Sequence, residues 1–140
     1  MKDIIIKEIT TEQELEKVLA LCYQILGKVD TELYGHDAWH ERFLDGTHPM
    51  VFAIKDDKIV SAVLGRAENQ DSLVMGMVAC LEDYRRQGIT KKLIMYFEEL
   101  AKQKGYKYIT LGSKEDAFYE NCNYKVIFQT DDQNIYQKIL

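Results

Sequence analysis

The sequence predicts an α/β fold of the mixed kind, a central sheet of six to seven strands with about four helices on its faces. Two observations carry this expectation. Strand-like and helix-like segments interleave along the chain in the order β-α-α-β-β-β-α-β-α-β-β. Residues 72–112 also read strand, helix, strand, the pattern of a βαβ crossover that sets two strands parallel in one sheet. Pro49 is the only proline, and neither a Gly/Ser linker nor an internal repeat divides the chain, so residues 1–140 read as one domain.

The elements follow in order. Residues 4–9 are rich in β-branched side chains and predict a strand. Thr11 with Glu14 three residues on is a capping box. Leu15, Val18, Leu19, Cys22, Ile25 and Leu26 then follow helical spacing. Residues 30–48 hold helical pieces punctuated by Gly35 and Gly46. "MVFAI" and "IVSAVLGRA" flank Asp56-Asp57 as a hairpin. Residues 72–80, "SLVMGMVAC", form a strand with Gly76 in its interior, where a glycine marks a bulge or a close backbone approach. Ile89, Leu93, Tyr96, Phe97, Leu100 and Ala101 make one apolar helical stripe that Gly105 ends. A strand at 106–113, a short helix at 115–122 and a closing pair at 124–129 and 134–140 complete the order.

With 46% hydrophobic residues the chain has enough apolar surface for a core. Eighteen basic against 23 acidic side chains give a net charge of −5, which argues against a general nucleic-acid partner. Cys22, Cys80 and Cys122 are an odd number without CxxC spacing, so neither a disulfide framework nor a zinc knuckle is expected. The apolar run near the N-terminus is three residues long, too short for a signal peptide, and no stretch approaches the ~20 apolar residues of a membrane span. These features predict a cytoplasmic protein without a membrane partner.

The most informative stretch is "DYRRQGITKKL", residues 83–93. It gathers positive charge and a flexible glycine at the start of a helix, where unpaired N–H groups and the helix dipole attract an anion. The amides of Gln87, Gly88, Ile89 and Thr90 can converge on phosphate oxygens. Neither G-x-x-x-x-G-K-[ST] nor G-x-G-x-x-G is present, so a nucleotide-hydrolysing reading loses its main support. Lys91 and Lys92 stand in the first turn, unfavourably for the dipole unless an anion is there.

"CLEDYRRQGIT" resembles the cofactor motif of the GNAT superfamily of acyl-CoA-dependent N-acetyltransferases, [RQ]-x-x-G-x-[GA] after a strand. Arg85 and Gly88 fill their positions, and Thr90 replaces the usual Gly or Ala. "AFYENCNYKV" resembles the second motif through Phe118, Tyr119 and Glu120, with Asn123 where Gly is usual and Tyr124 for Phe. The resemblance implies a GNAT-like fold and acetyl-CoA as cosubstrate. It assigns the amides from Arg85 through Arg86, Gln87, Gly88 and Ile89 to Thr90 to the pyrophosphate. It assigns the backbone of Val78, Ala79 and Cys80 to the pantetheine arm. Tyr119 is implied as the acid for the leaving thiolate, and Tyr34, His36, Trp39 and His40 as one wall of the acceptor pocket. The equal alternative for that segment is a solvated helix with Trp39 in the core.

The implied reaction is direct acetyl transfer to a primary amine, of a small molecule or peptide, in a ternary complex of a monomer or homodimer. The alternative is a non-catalytic acyl-CoA-binding or sensing module, because residues 72–80 hold no carboxylate or histidine to serve as base. Glu68, Asp71 and Glu82 flank that strand as ordinary acids. Cys80 has no evident histidine partner for nucleophilic work. "HDAWH" mimics H-E-x-x-H, but with the shorter aspartate for glutamate and only His48 as a third histidine, no metal is expected.

Overall fold

A computed structural model describes residues 3–140; Met1 and Lys2, which the one-domain reading includes, lie outside the described residues. The strands are β1 (Ile5–Glu8), β2 (Met50–Lys55), β3 (Lys58–Ala67), β4 (Ser72–Cys80), β5 (Tyr108–Ser113), β6 (Lys125–Gln129) and β7 (Asn134–Ile139). The helices are α1 (Glu12–Leu26), α2 (Thr31–Tyr34), α3 (His36–Asp45), α4 (Ile89–Gln103) and α5 (Asp116–Asn121), and a single 3-10 turn spans Glu82–Tyr84. The seven strands form one mixed sheet in the order β1-β2-β3-β4-β5-β7-β6, in which only β4 and β5 are parallel. No helix among the described residues is long and apolar enough to cross a membrane.

The Thr11–Glu14 capping box forms as its sequence predicts and starts α1. Leu15, Val18, Leu19 and Cys22 bury its apolar stripe against one face of the sheet, whereas Leu26 in the last turn is exposed. On the opposite face α4 buries Ile89, Leu93, Phe97 and Ala101 with Tyr119, Tyr124 and Tyr136. Glu98 is buried on that same stripe of α4. It accepts from Tyr124 Oη at 2.8 Å and from Lys138 Nζ at 3.0 Å, which explains how a carboxylate survives there. Asn123 takes a left-handed φ of 68°, a conformation asparagine tolerates better than most residues.

The interior glycine of β4 proves to be both things its position predicts. Leu64 of β3 pairs with Met77 and Gly65 with Met75, so Gly76 is an extra residue, a β-bulge. A Cβ there would sit 2.8 Å from Tyr34 Cε1, so the ring also demands a glycine. The bulge reverses the pleat: Leu73 and Met75 pack with α4, but Met77 and Ala79 pack with α1 and α3. Val78 and Cys80 are thereby turned to the α4 side.

His48 fastens the turn before β2 to the end of β3. Its Nδ1 accepts from the Ala67 amide at 3.1 Å, and burial holds its pKa below the ordinary 6.5 despite Asp45 nearby. A histidine kept neutral in the folded state makes the unfolded state take up the proton first, so its contribution to stability falls as pH drops through about 6.5. His36 is shifted the opposite way by its carboxylate partner Glu16, and favours the folded state at low pH. The expected outcome is therefore differential: between pH 7.5 and 5.5 the urea midpoint of the wild type should fall relative to that of His48→Gln, in parallel equilibrium denaturation series.

Candidate active site

β4 and β5 pair only at Ser72–Val74 with Tyr108–Thr110, although β4 continues to Cys80 and β5 to Ser113. Beyond Val74 the two parallel strands part, and the β5-side edge of β4 is left open. The Leu81 amide donates to the Val60 carbonyl of β3 at 2.8 Å. Alternation along the strand then turns the backbone groups of Val78 and Cys80 away from β3, toward the open edge, and those of Ala79 toward β3. The Cys80 carbonyl accepts from Arg85 Nε at 3.1 Å. The edge can receive an extended ligand as a short added strand.

That edge runs directly into the turn before α4. Tyr84 Oη donates to Asp56 at 2.8 Å and fixes the turn to the β2–β3 hairpin. Gln87 Nε2 donates to the Asp83 carbonyl at 3.2 Å, and Lys55 Nζ to Gln87 Oε1 at 2.9 Å. Arg86 (φ 64°) and Gly88 (φ 79°) are both left-handed, which curls successive amides into a concavity suited to an anion. Gly88 is also the N-cap of α4; no side chain caps this helix, and its first turn holds no acid. The amides of Ile89, Thr90 and Lys91 are consequently free for a ligand. A Cβ on Gly88 would meet nothing within 4 Å, so the ground before the helix is open.

Thr90, the departure from the family motif, is accommodated by a buried relay. Ser61 donates its hydroxyl hydrogen to the Ala79 carbonyl at 2.8 Å, so the Thr90 hydroxyl, 3.1 Å away, must donate to Ser61. The hydroxyl faces the sheet, and the Thr90 amide remains available. Neither Ser61 nor Lys55 stands out in the sequence; the one available signal of a buried polar partner is a serine amid the apolar residues of 59–64.

Tyr119 is 5% exposed and packs against Phe118, Tyr124 and Tyr136 in the layer that Val78 also touches. Its hydroxyl has no hydrogen-bond partner among the described residues. Burial, with Cys122 and Glu115 adding, pushes the phenol well above its ordinary value. The group is thus a hydrogen-bond donor at every ordinary pH, and a weaker acid than a free phenol.

On the other face the four residues expected to form an acceptor wall separate. Tyr34 reaches the Gly76 bulge and holds Arg66 Nε at 3.4 Å. Trp39 is fully buried, so it is a core side chain and not a pocket surface; its ring lies beneath Arg42 and beside Gly76. His36 and His40 turn outward to Glu16 of α1, each with Nε2 2.6 Å from Glu16 Oε1. Of the acids flanking β4, Glu68 lies 3.4 Å from Arg66 and Asp71 3.7 Å from Lys107, both half exposed. A groove of about 510 Å³ runs beside α4 from Lys91 past Asn123 to Lys138.

A family model described as "Acetyltransferase (GNAT) family" matches residues 13–124, most of the chain. The chain belongs to the GNAT acetyltransferase family. Among solved structures, the PaiA N-acetyltransferase of Thermoplasma acidophilum in complex with coenzyme A has 15% identity and a TM-score of 0.80 over 99% of each chain. An aminoglycoside 6'-N-acetyltransferase complexed with coenzyme A shares 14% identity over 96% of each chain, with a TM-score of 0.77. A GNAT acetyltransferase from Elizabethkingia anophelis with acetyl-CoA bound shares 15% identity over 98% of each chain, at 0.69. At these identities the likeness is one of fold. A search of curated proteins by sequence finds no significant match.

The Ser61 relay gives this GNAT chain a testable dependence. Ser61→Ala leaves the Thr90 hydroxyl and the Ala79 carbonyl without their partner, so urea denaturation should show a loss of about 1–3 kcal/mol.

Proposed function

We propose that the chain, as one domain over residues 1–140, transfers an acetyl group from acetyl-CoA to a primary amine by direct attack in a ternary complex. One observation carries the reading: the open β4 edge at Val78 and Cys80 leads straight to an uncapped, acid-free helix N-terminus at Gly88. A pantetheine arm needs an amide edge and a pyrophosphate needs converging N–H groups, and here the two are continuous. The groove beginning at Lys91 offers the nucleotide end of so long a cofactor a surface to lie on. That Cys22, Cys80 and Cys122 are all free thiols supports a reducing, cytoplasmic setting.

In the proposed reaction the neutral amine attacks the thioester carbonyl carbon, and the oxygen takes up the negative charge. Backbone N–H groups on the open edge of β4 stabilise that oxyanion. The nitrogen gives up its extra proton to water, collapse of the intermediate breaks the C–S bond, and Tyr119 donates a hydrogen bond or its proton to the departing thiolate, water restoring the phenol in the second case. The raised phenol favours the hydrogen bond over full transfer. The acceptor approaches from the Tyr34 face. Its ammonium, with a pKa of ~10.4 in a lysine-like amine, must lose a proton first, and water suffices where no carboxylate lines β4. The pairing of Glu68 and Asp71 with cations favours one second reading, a module that binds acyl-CoA without turnover.

Calorimetric titration with acetyl-CoA, with ATP as the control phosphate ligand, separates these readings. Binding of acetyl-CoA alone, followed by thiol release with an amine panel, is the expected result. Binding without release supports the module, and no binding overturns both. Gly88→Glu puts bulk and negative charge in the concavity, and should weaken acetyl-CoA binding at least ~100-fold with unchanged circular dichroism. Tyr119→Phe should lower kcat by about 10- to 100-fold with little change in cofactor affinity, as read from steady-state kinetics against calorimetry.

A further inference from the structure

We propose that Glu16, His36 and His40 form a binding site for a divalent transition-metal ion of the zinc class, which clamps α3 onto α1. Among the described residues these three are the one group of metal-ligating side chains whose donor atoms all lie within 4.8 Å of one another. The sequence supplies two of them at i, i+4 on α3, where they share a helix face and their ring centroids stand 4.2 Å apart. The third comes from α1, twenty residues earlier, and only the packing of α3 against α1 reveals it.

The donor chemistry and distances suit the ion. Two imidazoles and one carboxylate are the protein ligands of several three-ligand zinc sites, which leave the fourth position to water. Both Nε2 atoms already point at a single carboxylate oxygen, each at 2.6 Å. Tetrahedral coordination at about 2.0–2.1 Å separates neighbouring donors by about 3.3 Å, so each histidine–glutamate pair need open by only ~0.7 Å, within the reach of exposed side chains. Asp37, which makes "HDAWH" differ from a metalloprotease motif, lies with Oδ1 3.6 Å from His36 Nδ1. It stands at the ring nitrogen that a metal on Nε2 leaves free, where a carboxylate orients a ligating histidine. Imidazole donors favour zinc, nickel or copper, and magnesium, which asks for oxygen ligands, is excluded by the donor set.

The consequence is mechanical. α3 begins after Gly35, one residue beyond Tyr34, and carries Trp39, the two rings against the Gly76 bulge. An ion bridging α3 to α1 would hold that face of the sheet in one arrangement. The site is independent of the cofactor reading and stands or falls on its own measurement.

The test is a calorimetric titration of the tag-free full chain with ZnCl2, with MgCl2 as control, for the wild type and for His36→Ala, His40→Ala and Glu16→Gln. Expected are one zinc ion per chain in the wild type, a raised melting temperature in its presence, and at least ~10-fold weaker binding in each variant. Glu16→Gln keeps the shape of the side chain and guards against a loss of folding in the histidine variants. Zinc heats no larger than those of magnesium would overturn the proposal. So would wild-type affinity in the three variants, which would move the ion to a thiol such as Cys80.

Discussion

The bulge at Gly76 is the constraint on which the remaining geometry rests. A strand of unbroken period two would send residues 73, 75, 77 and 79 to one face. With one residue inserted, the first pair packs with α4 and the second with α1 and α3. The same strand leaves β5 just before the bulge, after Val74. A bulged strand bends and twists more strongly than a regular one, and two parallel strands that diverge in twist cannot stay paired. Glycine is required because the Tyr34 ring occupies the space of a β-carbon. One missing methyl group thus opens an edge on one side of the sheet and seats an aromatic ring on the other.

At the far end of that edge the chain maintains an electrostatic imbalance. Overall it carries a net charge of −5, yet the first turn of α4 has two lysines and no acid, with Arg86 and Lys55 close by. Cations at the positive end of the helix dipole are a cost in the free protein. The arrangement holds because its surroundings are rigid. Arg85 ties the turn to the end of β4, Tyr84 ties it to Asp56, and Thr90 ties the helix to β3 through Ser61. A preformed concavity spends little of an anion's binding energy on ordering the loop.

How much of this was legible in the sequence depends on whether a feature is local. The strand–turn–helix at 72–103 could be read directly, because Gly88, the arginines and the apolar stripe are neighbours in the chain and dictate the backbone between them. Asn123 and the bulge glycine were legible for the same reason. What comes from tertiary contact was not. Glu98 looks like a solvent-facing acid until Tyr124 and Lys138 are brought to it from 26 and 40 residues away. Leu26 keeps the helical period but lies past the edge of the sheet and is exposed. Trp39 sat in a segment read equally as pocket wall and as core, and its burial beside Gly76 decides for core. The insertion of β7 between β5 and β6 leaves no mark on the sequence, since a hairpin reads alike whichever strand is innermost.

Tyr119 and Tyr34 lie on opposite faces of the sheet and differ in what they can contribute. Tyr119 lies in the α4 layer, where burial raises its phenol and favours hydrogen bonding over proton transfer in the role proposed for it. Tyr34 lies above it, partly exposed, with Arg66 over its ring and at its hydroxyl. Arg66 is itself paired with Glu68 at 3.4 Å, so the charge on the Tyr34 face is largely compensated, and in the proposed reaction the deprotonation falls to water because β4 supplies no carboxylate.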